Sequence, residues 1–195
     1  MKKVYYLLAV LASTIIGAQS ASAQKDSSGI YKTADDFQKR KLTYAINCKT
    51  EKHKINPNIL FKGSEVKVKH MGTTYSMKKS EVFGYRACDG KEYRFVDNKE
   101  YSVLNPGETL IIYVYQHPAH SAKNASQYPP MYFFSKGVAT GLQELTKGNL
   151  KTAFPDNHEF HDTLDENFKE DKELINYDNF HKMYKVNWLL KNHVK

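Results

Sequence analysis

His158, Glu159, His161, Asp162 and Asp165 crowd metal-ligating residue types into one short stretch. On a helix, positions 158, 161, 162 and 165 share a face. Two imidazoles and a carboxylate there, His158, His161 and Asp162, could hold zinc or another divalent ion. The spacing is His-x-x-His, without the His-Glu-x-x-His arrangement that sets two imidazoles one turn apart around a general base. The same residues also compose a solvated acidic helix, which is the alternative reading. A second pair, His117 and His120, flanks Pro118-Ala119 in a loop after an apolar run. Loops carried on rigid strands often bind ligands, so both are candidate binding residues. His70 falls on the inward side of an alternating run and reads as a hydrogen-bonded histidine of the core or its rim.

Tyr85, Arg86, Tyr93 and Arg94 lie across Asp89-Gly90. Asp-Gly between alternating runs signals a hairpin with a two-residue type I′ turn. That turn sets Arg86 opposite Tyr93 and Tyr85 opposite Arg94. Such pairs stabilise a sheet by stacking. The same four side chains could dock a sugar ring or an acidic peptide. Nucleophilic catalysis finds no frame here, because a Gly-x-Ser-x-Gly elbow is lacking. Acid pairs such as Asp35/Asp36 or Asp165/Glu166 could serve glycoside hydrolysis, but any chain of this size offers such pairs. Phosphate-loop and dinucleotide patterns are absent, and no cofactor is expected. Cys48 and Cys88 are the two cysteines. They either form a disulfide or stand as separate buried thiols.

Which of these holds depends on the compartment. Lys2 and Lys3 precede an apolar run from Val4 to Ala18, and Ala21-Ser22-Ala23 presents small residues where a signal peptidase reads. This is the pattern of a secretory signal peptide over residues 1–23. Its removal leaves 24–195 as one domain, with no later run long enough to span a bilayer. The formal charge of the chain is +8. The excess lies in 24–100, whereas 156–173 sets eight acids against Lys169 and Lys172. A basic exported protein meets anionic lipid, polysaccharide or extracellular nucleic acid, although scattered charge also simply solubilises.

The elements that would carry these residues change period along the chain. Residues 24–32 read as a loose N-terminus, followed by a short helix capped by Thr33. From Leu42 the period is two, with Leu42, Tyr44, Ile46 and Cys48 on one face. Val66, Val68 and His70 alternate with lysines, and Met71-Gly72 is a turn. Asn105-Pro106-Gly107-Glu108 suits a type II turn. Leu110 to Tyr115 reads as a strand covered on both faces. Met131 to Ser135 adds one more strand. Thr140 and Gln143 have capping-box spacing for a helix that Gly148 can end, with Asn149 capping a short one to Phe154. Phe160, Leu164 and Phe168 recur at i, i+4, i+8. A last helix starts at Asn176 or Asp178, its apolar face including Phe180, Met183, Tyr184, Trp188 and Leu190. The expected class is α+β: an antiparallel meander of about 6–8 strands over 42–135, then 3–4 short helices over 140–193.

Leu145-Thr146, Asn149-Leu150-Lys151, Ala153 to Asn157, Tyr177-Asp178 and Tyr184 to Asn187 carry a resemblance, together with Gly84-Tyr85-Arg86, Asp89-Gly90-Lys91 and Tyr93-Arg94. In these segments the chain resembles uncharacterised exported proteins of the Bacteroidota. The resemblance implies an exported address and no known activity. It also implies that Asp162-Thr163-Leu164 is similar to the short sequence used there for O-glycosylation, with Thr163 as the acceptor.

The expected function is therefore that of an exported periplasmic or secreted protein, non-enzymatic, binding a partner such as an envelope protein or an anionic polysaccharide. Cytoplasmic nucleic acid is not an expected partner. The alternative is an exported hydrolase, metal-assisted through His117/His120 or His158/His161.

Overall fold

Thirteen strands and four helices follow one another in the computed structural model, which describes residues 26–51, 54–58, 63–118 and 128–193. The leader at 1–23 and His120 lie outside the described residues. The strands are β1 (Ser27–Tyr31), β2 (Thr43–Asn47), β3 (Lys54–Asn56), β4 (Glu65–His70), β5 (Thr73–Lys78), β6 (Gly84–Arg86) and β7 (Glu92–Val96). They continue with β8 (Lys99–Val103), β9 (Leu110–Tyr115), β10 (Met131–Lys136), β11 (Gln143–Glu144), β12 (Tyr177–Asp178) and β13 (Met183–Tyr184). The helices are α1 (Ala34–Gln38), α2 (Lys147–Ala153), α3 (His158–Asn167) and α4 (Lys185–His193). The class is α+β, with most of the helix at the C-terminal end.

Eight strands form one antiparallel sheet in the order β11-β10-β9-β8-β7-β6-β1-β2. From β6 to β11 it is a meander, so neighbours in sequence are neighbours in space. The tight turns follow from backbone chemistry. Met71 and Gly72 both adopt positive φ (48° and 81°), the type I′ requirement, and join His70 to Thr73. Gly107 is not in the left-handed region, so the turn at 105–108 is not the expected type II.

The first face of the sheet presents Leu110, Ile112 and Phe134 at one end, and α2, α3 and α4 cover them. At its other end Ile30, Tyr85 and Phe95 are covered by Val66 and Val68 of the separate sheet β3-β4-β5. The second face buries Tyr31, Tyr101, Val103, Ile111 and Tyr113 against Phe37 of α1. Strand β9 is buried on both faces, as its unbroken apolar run predicts. Helix α1 has the Thr33 cap, with Asp36 closing a capping box. Phe160, Leu164 and Phe168 are all fully buried. Each such burial contributes about 1.5–3 kcal/mol.

Several expectations are corrected. Residues 27–31, read as loose, form a strand between β6 and β2. Leu42 and Tyr44 do not share a face: Leu42 packs on the second face and Tyr44 on the first. Tyr44 takes φ 53° beside a register shift opposite Ser28/Ile30, and this bulge inverts the alternation. The helix read after Thr140 is absent, because Gln143 and Glu144 pair with Phe134 and Phe133. Thr146 caps α2 instead, and Gly148 lies inside that helix. The last helix begins at Lys185, after a hairpin, and Phe180 at the hairpin tip is 87% exposed rather than packed.

Candidate functional site

The Asp89-Gly90 hairpin has a three-residue loop. Ala87 N–H donates to Lys91 O (2.9 Å), Gly90 N–H donates to Ala87 O (3.0 Å), and only Gly90 takes positive φ (83°). A two-residue type I′ turn would need positive φ at Asp89 as well. The added residue shifts the register by one. Tyr85 therefore faces Tyr93, Arg86 faces Glu92 and Gly84 faces Arg94, which replaces the expected Tyr–Arg pairs. Tyr85 and Tyr93 stack at 4.7 Å on the first face. The buried Tyr85 hydroxyl donates to Glu100 (2.9 Å), and burial raises its pKa strongly. Arg86 and Arg94 lie on the opposite face. The four residues form no common surface.

The other sequence candidates scatter. His117 stacks on Tyr128 at 4.4 Å, and its Nδ1 is buried without a partner among the described residues. His70 packs by Tyr44 at 5.8 Å. His158 and His161 lie with ring centroids 5.7 Å apart. His161 Nε2 is 2.8 Å from Phe154 O, so a backbone carbonyl engages it. Asp162 is exposed. Among the described residues no group of three or more His, Cys, Asp or Glu is arranged to hold a metal ion. Thr163 Oγ1 donates to Glu159 O (2.7 Å). Cys48 and Cys88 form a disulfide with Cα atoms 5.7 Å apart, which removes both as nucleophiles. Among the described residues no helix is long and apolar enough to cross a membrane.

What the fold does assemble is a cleft of about 1020 Å³. Its walls come from the β8–β9 turn, the end of β10, the α2–α3 link and α4. Asn105 positions the turn: its Nδ2 donates to Leu110 O (2.9 Å) and its Oδ1 accepts from Ile112 N–H (2.6 Å). This clamp delivers Glu108 and Thr109 to the cleft. Lys136 lies over the Phe154 ring at 4.6 Å and donates to Ala153 O, which fixes the apolar wall. Asn157 caps α3 by accepting from Phe160 N–H (3.0 Å), so the link turns sharply and places His158 and Glu159 at the rim. On α4, Asn187, Leu190 and Lys191 fall at i, i+3, i+4 and line the cleft together.

Two residues of this lining each carry a buried polar atom without a partner among the described residues: Asn187 Nδ2 and Glu108 Oε2. Asn187 is only 6% exposed. An unmade hydrogen bond at such a site costs about 1–3 kcal/mol. Burial pushes the Glu108 carboxyl above its ordinary range, while Asn105 and the Lys191 charge pull it back. The cleft thus offers a donor, a carboxyl that accepts or donates with pH, and an apolar wall of Phe154, Met183 and Leu190. Asp156, Glu159, Lys136 and Lys191 add charge to this lining, so the cleft combines an apolar patch with many polar groups and suits a polar small ligand.

Of the cleft residues, the sequence marks His158 and Glu159 but not Glu108 and Asn187. Asn187 did leave a signal: a lone amide between Met183 and Leu190 in an otherwise apolar helical stripe. Glu108 left none, because a turn residue after Pro-Gly looks like any other. Neither a known protein family, a characterised protein nor a solved structure matches the chain.

Proposed function

We propose that the chain is an exported protein, freed of residues 1–23, that binds a hydroxyl-rich saccharide segment of the cell envelope in this cleft without transforming it. Asn187 carries the reading: a nine-tenths-buried amide with an unpartnered Nδ2 in the wall of a roomy cleft. A sugar hydroxyl both accepts and donates, so one hydroxyl pair can complete Asn187 Nδ2 and Glu108 Oε2. Phe154, Met183 and Leu190 supply apolar contact for the C–H groups of the sugar. The Cys48–Cys88 disulfide suits an oxidising compartment outside the cytosol. The Bacteroidota resemblance points to the same address.

The test is a titration of the isotope-labelled mature chain with neutral and acidic mono- and disaccharides, read by amide chemical shifts. Shifts confined to 107–109, 154–159 and 183–191, and lost in Asn187→Leu, support the proposal. A panel without perturbation, or shifts indifferent to Asn187→Leu, defeats it. A second reading, hydrolysis, rests on the raised Glu108 carboxyl in a cleft that His158 also lines. Turnover of a bound saccharide, lost in Glu108→Gln, would favour it.

A further inference from the structure

The second face of the sheet carries an unbalanced charge. Arg86 and Glu92 are cross-strand partners, and Arg94 follows Glu92 on the same face of β7. Arg40 arrives from the segment after α1 and pairs with the Glu92 carboxylate. Arg86 Nη1 lies 3.5 Å from Glu92 Oε1, and the Tyr31 hydroxyl donates to the same oxygen at 2.7 Å. One buried carboxylate is thus shared by two guanidiniums and a phenol.

Arg94, 8% exposed, has neutral partners: Nη1 donates to the Tyr113 hydroxyl (3.2 Å) and Nη2 to Thr140 O (2.9 Å). Its guanidinium also lies over the Phe83 and Tyr113 rings, at 5.1 and 5.6 Å. Arg86 Nε is buried and has no acceptor among the described residues. The acids of α1 serve elsewhere: Asp35 pairs with Lys39, and Asp36 caps Thr33 N–H and faces Lys41. Two strand guanidiniums therefore stand against one carboxylate even before Arg40 is counted. A desolvated cation without its counter-charge is costly, and an added anion would offset that cost.

The layer is reachable at its Arg86 edge. The Arg86 and Arg40 side chains are 16% and 28% exposed, whereas Glu92 is almost sealed. The hairpin turn comes up to this edge with a glycine: even a Cβ on Gly90 would stay 3.9 Å from Arg86 Nη2.

We propose that the Arg86 edge of this layer is a binding site for one oxyanion, a carboxylate or sulfate of an acidic saccharide. The planar guanidinium suits such a group, which it meets at its exposed edge. The site is on the opposite sheet face from the cleft and does not rest on the cleft reading.

The test is the thermal midpoint and calorimetric affinity of the mature, disulfide-intact chain. Sodium sulfate is compared with sodium chloride at matched ionic strength, and sodium glucuronate plus chloride with glucose plus chloride. The expected result is a rise with sulfate or glucuronate over its control, with affinity about tenfold weaker in Arg86→Gln, the equivalent of one charge-assisted hydrogen bond. Which ion acts names the source: glucuronate marks a uronate, and sulfate alone marks a sulfated sugar or the free ion. Glu92→Gln removes the internal competitor. It should melt lower without ligand and bind the active ion more tightly than the parent. Asn187→Leu should leave this binding unchanged. No rise with either ion, or an equal rise in Arg86→Gln, overturns the proposal.

Discussion

Replacing Cys48 and Cys88 together by serine tests how the chain closes its longest excursion. After β2 the backbone leaves the main sheet, builds β3-β4-β5, and returns at β6. The disulfide closes this excursion, with a sequence separation of 40. In the folded protein the closure is redundant, because β1 already pairs with both β2 and β6. Its effect therefore falls on the unfolded chain. Loop-closure entropy for about 40 residues gives roughly 4 kcal/mol at 25 °C. For a domain of this size each kcal/mol moves the midpoint by about 2–4 °C, so the variant should melt about 8–16 °C lower. Differential scanning calorimetry of the parent, the reduced parent and the double variant measures this. The reduced parent and the variant should agree, with both sheets still formed by circular dichroism. A loss under about 3 °C would refute the entropy argument. So would selective melting of β3-β5 in hydrogen exchange, since the link would then be acting on the folded state.

Three other outcomes follow from the packing and charge. Leu164→Ala leaves a void between α3 and the sheet, and chemical denaturation should show a loss of about 2–5 kcal/mol. Gly84→Ala places a Cβ 1.8 Å from Tyr93 O, a backbone atom that cannot yield, so the variant should fail to give soluble folded protein on expression. Burial holds the Glu100 carboxyl above its ordinary 4.5, with the Tyr85 hydrogen bond and the Lys79 charge opposing. A raised carboxyl gives stability fully present below 4.5 that is lost as pH rises through the folded value. Urea titrations from pH 4.5 to 7 should therefore show the parent losing stability relative to Glu100→Gln, and parallel profiles would contradict this.

Local chemistry was legible in the sequence where partners are near. Met71-Gly72 announces its hairpin, Thr33 its helix, and the i, i+4, i+8 spacing of Phe160 its buried face. The unread parts are those decided by distant partners. Strand β1 is Ser-Ser-Gly-Ile-Tyr, polar at its start, yet Ser28 donates to Arg86 O (2.7 Å), 58 residues away. Gly29 serves a close approach, since a Cβ there would meet Thr43 O at 3.0 Å. Gln143 and Glu144 look helical until the edge of β10 claims them. Asp-Gly predicts a hairpin, but its one-residue register depends on whether Asp89 takes positive φ. The cleft draws on four segments, so none of them announces it alone.

The side-chain amide resonances of Asn187 offer the most direct test of the binding-cleft account. In the free mature chain they should report an Nδ2 without an acceptor. On titration with saccharide they should move and gain protection from solvent exchange, in step with the amides of 107–109. If they stay unchanged while a saccharide binds, the ligand sits elsewhere and the proposed role of the cleft is wrong.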